Sequence, residues 1–183
     1  MRTVKIILWL IGLSILAIFI ILKLNFYPIA LTSKWIITER QFNKIVNSSL
    51  VYYQKTFSVY TTSTPIADAK FQKEIKRAAL DKLIEDKIID EILLKKLGSK
   101  ELEKLVNGKI TNLSINDEVA NASQILYNLS LKDFKNLVLI PEAKREILKE
   151  QGIDLQEIKK SYRPIILIPG FYWQNEVLIQ DKG

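Results

Sequence analysis

The chain contains no cysteine and no histidine, and only six isolated glycines and one methionine among its 183 residues. Without cysteine there is no disulfide and no thiolate nucleophile. Without histidine the side chain that most readily changes charge near neutral pH is gone. Ser-His-Asp and Cys-His arrangements cannot form, and zinc sites of nitrogen and sulfur ligands cannot either, which leaves only carboxylate sites for hard cations. No Gly-rich phosphate loop is present. These absences predict no cofactor, no metal site and no enzymatic chemistry. A carboxylate pair acting on glycans is the one catalytic class they leave open, and nothing in the sequence places such a pair in a cleft.

What the chain does have is an uncharged apolar run at residues 6–22, bounded by Arg2 and Lys5 on one side and Lys23 on the other. At about 1.5 Å per residue, residues 4–26 span roughly 34 Å as a helix, enough for a hydrocarbon core of about 30 Å. The run exceeds an ordinary signal core, and its exit offers no Ala-x-Ala-like pair. It reads as an uncleaved single-pass anchor over residues 1–26, a cleaved signal being the rival. The positive charge before it favours a cytoplasmic N-terminus, with the rest extracytoplasmic in the cell envelope. Residues 27–37 read as a juxtamembrane linker, and residues 38–183 as one domain of ordinary size.

The formal charge of +7 falls to +4 once Arg2, Lys5 and Lys23 are assigned to the anchor. A nucleic-acid footprint needs cations clustered on one face. Lys95, Lys96, Lys100, Lys104 and Lys109 come nearest, but Glu91, Glu101 and Glu103 interleave with them, so no nucleic-acid partner is expected.

Thr38 and Gln41 have the spacing of a capping box, which predicts a helix from about Glu39. Its stripe is Phe42, Val46, Leu50, Tyr53, Phe57 and Tyr60, broadened by Tyr52 and Val59. It is either a core stripe or a face that partly lines an apolar groove. Thr61 to Pro65 reads as a loop. A long helix over about 68–97 follows, stopped at Gly98, with Glu85, Asp86, Asp90 and Glu91 forming local helical ion pairs with neighbouring lysines. Short helices are predicted after Ser99, Ser114, Ser130, Pro141 and Asp154, with stops at Gly108 and Gly152.

After Pro164 the pattern changes. Ile165 to Ile168 reads as a strand, with Val177 to Ile179 returning beside it as a small hairpin or extended tail. Phe171, Tyr172 and Trp173, in the connection, are either the tail's anchor into the core or a sticky surface. The fold class is therefore mainly α: a transmembrane helix, then an orthogonal helical domain with one long helix, several short ones and a short C-terminal β-hairpin or tail.

The segments Arg77-Ala-Ala-Leu-Asp-Lys-Leu-Ile-Glu-Asp-Lys-Ile-Ile89, Leu97-Gly98 and Ser114-Ile-Asn-Asp-Glu-Val119, with the opening Ile37-Thr-Glu-Arg-Gln-Phe42, resemble the SurA-type N-terminal chaperone domain. The resemblance spans roughly residues 36–150. Residues 99–112 stand as an insertion, the Asn-Gly turn before the opening Ile-Thr is absent, and there is no parvulin module. The resemblance implies a chaperone-like or docking domain without isomerase activity, and the function expected of it is to hold unfolded or exported polypeptides without catalysis. Tyr52, Tyr53, Phe57, Tyr60, Phe171, Tyr172 and Trp173 are then the expected peptide contacts. A tethered module docking one dedicated envelope partner is the alternative.

Overall fold

The structure is a computed structural model that describes residues 9, 13–14, 26–60, 65–111, 117–174 and 177–180. Among these no helix is long and apolar enough to cross a membrane. The expected anchor lies outside the described residues except for Trp9, Leu13 and Ser14, which are helical, and Phe26 at its end.

The described chain is mainly helical with a small β component. Two short strands, β1 (Pro28–Leu31) and β2 (Ile36–Thr38), occupy the segment read as a linker. They pair antiparallel through Ala30–Ile37 and Leu31–Ile36, and β1 also pairs with β3 (Ile165–Ile166), in the order β2-β1-β3. Alternation sorts their side chains: Ala30 and Ile37 are fully buried, whereas Ile36 and Ile165 stand outside. The segment thus belongs to the domain core.

Thr38 and Gln41 cap helix α1 (Glu39–Tyr60) reciprocally: the Thr38 N–H donates to Gln41 Oε1 at 3.2 Å and the Gln41 N–H to Thr38 Oγ1 at 3.4 Å. After a 3-10 turn at Pro65–Ala67, α2 runs from Ala69 to Thr111 with one break at Gly98, whose φ of 75° and ψ of 167° interrupt the helix. A side chain would be strained there, so the expected stop is real, but the chain re-enters a helix that passes through Gly108 instead of ending at it. The first arm of α2 buries Ile75, Ala79, Leu80, Leu83, Ile84 and Ile88 against α1, the sheet and the C-terminal hairpin. The second arm buries Leu102, Val106 and Ile110 in an adjoining cluster with Ala143, Ile147 and Leu148.

The connecting helices are α3 (Asp117–Tyr127), α4 (Leu131–Phe134), α5 (Ile140–Glu150) and α6 (Leu155–Lys159). Ser130 and Asp154 cap α4 and α6 as their spacing predicts; the Ser114 cap lies outside the described residues. Pro141 stands in the first turn of α5, as expected, but that helix follows the preceding one without a loop. A π turn at Lys135–Leu139 joins α4 to α5, and the proline, which has no N–H to donate back, sits in the first turn of α5. The Leu137 carbonyl accepts instead from Lys82 Nζ at 3.4 Å.

The acids of α2 also depart from the expected local pairing. Glu85 binds Lys159 of α6 at 2.7 Å, Asp86 binds Arg145 of α5 at 2.5 Å, Asp90 binds Lys144 of α5, and Glu91 binds Lys34 of the β1–β2 turn at 2.5 Å. Of these four acids, Asp86 also has a partner within the helix, Lys82 at 2.7 Å. The acidic face of α2 is therefore a hub that fixes three other elements around it.

At the C-terminus, Ile168-Pro169-Gly170-Phe171 forms a turn with Gly170 at φ 81° and the Phe171 N–H donating to the Ile168 carbonyl at 3.4 Å. It leads into β4 (Phe171–Gln174), which pairs antiparallel with β5 (Val177–Gln180). The hairpin is thus built from the segment expected as its connection, while Ile165 and Ile166 pair with β1 far away in sequence.

Candidate functional site

The N-terminal half of α1 is core: Phe42, Ile45 and Val46 are buried. Beyond them Ser48 and Ser49 supply only small side chains, and the Ser48 hydroxyl turns back to the Ile45 carbonyl at 3.2 Å. The stripe then becomes aromatic and rises out of the core, with Tyr52 37% and Tyr53 38% exposed.

Small residues below and rings above leave two adjoining cavities. One, of about 310 Å³, lies between α1 and α2, lined by Tyr53, Phe71, Ile75 and Ala78 with Glu74 and Arg77 at its edge. The other, of about 220 Å³, is lined by Ser48, Tyr52, Tyr127, Leu137 and Val138. Ile45, Ser49, Tyr53 and Lys82 line both, so the two flank Tyr53 as one interrupted groove.

A continuous belt of rings frames it. Phe57 and Tyr53 contact Phe71 edge-on at 5.9 and 5.4 Å, Tyr53 meets Tyr52 at 5.7 Å, Tyr52 stacks on Tyr127 at 5.2 Å with planes 4° apart, and Tyr127 reaches Phe134 at 5.7 Å. Such contacts hold the rings in place beyond what their area alone contributes. Burial, with a smaller contribution from Tyr52, raises the pKa of the Tyr127 hydroxyl. A tether closes one end: Lys44 of α1 binds Asp133 at 2.7 Å, and that carboxylate also accepts from the Ser130 hydroxyl at 2.8 Å. Both bonds hold the Asp133 pKa below its ordinary value.

Of the seven expected contacts, Tyr52, Tyr53 and Phe57 come together here; the Tyr60 side chain lies outside the described residues. Phe171, Tyr172 and Trp173 belong to the hairpin. Phe171 is 8% exposed and sits in the core with Leu178, so it anchors the hairpin and is unavailable to a partner. Trp173 lies over the Lys159 ammonium, 5.5 Å from ring centre to Nζ, and Tyr172 alone points outward. Lys159 itself is buried, held by Glu85 and facing Asp81 at 3.7 Å.

Phe71 and Phe134 read from the sequence as packing positions of their helices and not as part of a site, and Tyr127 is not marked by any pattern. Phe71 was within reach, because an antiparallel helix pair folding about the loop near residue 64 brings positions equally distant from it, 57 and 71, face to face. Tyr127 and Phe134 flank the α3–α4 turn, and no local pattern ties them to α1.

Comparison with protein-family models, with curated proteins and with solved structures finds no match to this chain.

Proposed function

We propose that this protein is a membrane-anchored, extracytoplasmic chaperone-like domain, similar in plan to the SurA N-terminal type, which holds unfolded or exported polypeptide segments without catalysis. The observation that carries the reading is the ring-framed groove on the outer half of α1. Its walls are mostly apolar and aromatic over a base that includes Ser48 and Ser49, its two cavities are each large enough for a side chain or two of an extended client, and its rings pack on one another without a client.

Preformed apolar surface of this kind binds by area, at about 25 cal/mol per Å² removed from water. The ordering of the client offsets much of that gain, which keeps affinity weak and selectivity broad. Tethering makes weak affinity useful by raising the local concentration beside emerging clients. The apolar run at 6–22 supplies the tether.

The test replaces Tyr52, Tyr53 and Phe57 together by Ser in the full chain and measures suppression of aggregation of several unrelated unfolded proteins. Suppression should fall severalfold while the helical circular dichroism is retained. Unchanged suppression with the fold intact would remove the groove as the binding site, and protection of no client by the unaltered chain would remove the function.

A further inference from the structure

A second cavity, of about 870 Å³, shares no lining residue with the ring-framed groove: it lies where the β1–β2 turn, the middle of α2 and the segment after α6 meet. Four cations surround it, Lys34, Lys95, Lys96 and Arg163, against the single carboxylate Glu91. Glu91 is already engaged by Lys34 at 2.5 Å and faces the Tyr162 hydroxyl, whose pKa is pushed up to about 12 by burial and by this carboxylate. Lys96 and Arg163 bind only neutral groups: Lys96 donates to the Gln151 carbonyl at 3.3 Å, and Arg163 to the Lys160 and Tyr162 carbonyls at 2.6 and 2.8 Å. The cleft therefore keeps a positive excess.

Its wall continues into an apolar surface. Leu31 and Ile165 line the cleft and also stand side by side on the outer face of the sheet, in register with Ile36: Ile36–Leu31–Ile165 is one cross-strand row. Ile36 and Ile165 are 54% and 57% exposed, and Leu167, farther along, is 49% exposed. A sheet that turned this face to water alone would leave Ile36, Ile165 and Leu167 without cover.

Chain length says what lies within reach. From Leu22, the last residue of the apolar run, to Pro28, where β1 begins, there is at most about 20 Å of chain. On the anchor reading, β1 therefore begins close enough to the membrane for its sheet to reach the lipid.

We propose that this face docks on anionic phospholipid of the membrane that holds the anchor, with the headgroup phosphate in the Lys34–Lys95–Lys96–Arg163 cleft and the Ile36–Leu31–Ile165 row and Leu167 resting at the acyl boundary. The inference rests on the anchor reading above. Docking fixes the domain's orientation, so that the ring-framed groove keeps one attitude toward the bilayer. Cations beside an anionic surface and an apolar face below them are the two contributions that hold interfacial segments in place.

The absence of cysteine makes the test direct, since a single introduced thiol takes an environment-sensitive fluorophore uniquely. Full chains carrying Leu13→Cys, Ile36→Cys, Leu167→Cys or Glu103→Cys are labelled and placed in vesicles of phosphatidylcholine alone or with added phosphatidylglycerol, with nitroxide-bearing lipid as quencher. Labels at 36 and 167 should be quenched strongly only when phosphatidylglycerol is present, the label at 13 in both vesicles, and that at 103, on the exposed side of the second arm of α2, in neither. Lys95→Glu with Lys96→Glu, both at exposed positions, should lower the docked fraction more than about tenfold. Quenching at 13 without quenching at 36 and 167 would overturn the docking and leave the anchor standing; no quenching at 13 would overturn the anchor itself. Equal quenching at 36 and 167 in both vesicles would overturn the cleft's part in it.

Discussion

Two aromatic regions that look alike in sequence have opposite roles in the fold. On the outer half of α1, Tyr52 and Tyr53 are more than a third exposed and lean on other rings across a groove. On the hairpin, Phe171 is buried and Trp173 covers the ammonium of a buried lysine. The difference comes from what lies underneath. Ser48 and Ser49 leave space below the first set, whereas the sheet, α2 and Lys159 fill the space below the second. An aromatic cluster becomes a surface where its support is small and a bolt where its support is full.

Truncation should separate the two most sharply. Phe171→Ala removes a ring from a filled site and is expected to cost about 3 kcal/mol or more. Tyr53→Ser loses an edge-on partner on a partly open surface, worth about 1 kcal/mol. Thermal unfolding of the full chain in detergent, followed by circular dichroism, measures both. Equal losses would mean that the groove rings are core after all, and the contrast would fail.

Lys159 tests the hairpin side through charge. It is buried against Glu85 and Asp81, and Lys159→Met, which keeps the bulk and drops the ammonium, strands two carboxylates at an expected cost of about 3 kcal/mol. The effect carries a pH signature. Burial raises the Asp81 pKa, Lys159 opposes the rise, and Glu85 adds to it. A carboxyl whose pKa is raised by folding contributes stability that is fully present below its unfolded value of 3.8 and is lost as pH rises through the folded value. Removing the ammonium lets that pKa climb further. Denaturant titrations should therefore show a larger deficit of the variant at about pH 7 than at about pH 4. The same deficit at both would mean that Asp81 and Lys159 are not coupled.

The contrast was only half legible beforehand, for reasons that can be named. Capping at Thr38, the break at Gly98 and the cap at Ser130 are local events written within three or four residues, and each stands where its spacing puts it. Strands β1 and β2 are short, and β1 finds its second partner at Ile165 and Ile166, so the segment reads as a linker until that distant pairing is known. The acids of α2 have the spacing of surface pairs, and only the folded chain shows that Lys34, Lys144, Arg145 and Lys159 reach them from elsewhere. In the candidate site, Tyr52, Tyr53 and Phe57 follow from helical period alone. Whether they cover a groove or a core depends on Ser48 and Ser49 and on rings from α2, α3 and α4, none of which the period of α1 encodes.

The smallest expected effect sharpens the groove side of the comparison. Ser130 caps α4 by accepting from the Asp133 N–H at 3.2 Å, and its own hydroxyl donates to the Asp133 carboxylate that Lys44 of α1 also binds. The turn so fixed carries Tyr127 on one side and Phe134 on the other, so the cap also sets the height of the rings that Tyr52 stacks on. Ser130→Ala should cost about 1 kcal/mol. It should also change the ring resonances of Tyr127 and Tyr52, which a purely helix-local role would leave alone. Because the Asp133 pKa is depressed by Lys44 and Ser130, its contribution is present above the unfolded value of 3.8 and is lost as pH falls through the folded value. The variant, holding that carboxylate less well, should lose less than the parent on acidification. Unmoved tyrosine resonances would show that stacking alone positions the belt, and the groove would then be a property of α1 and its neighbours' rings with no help from the turn.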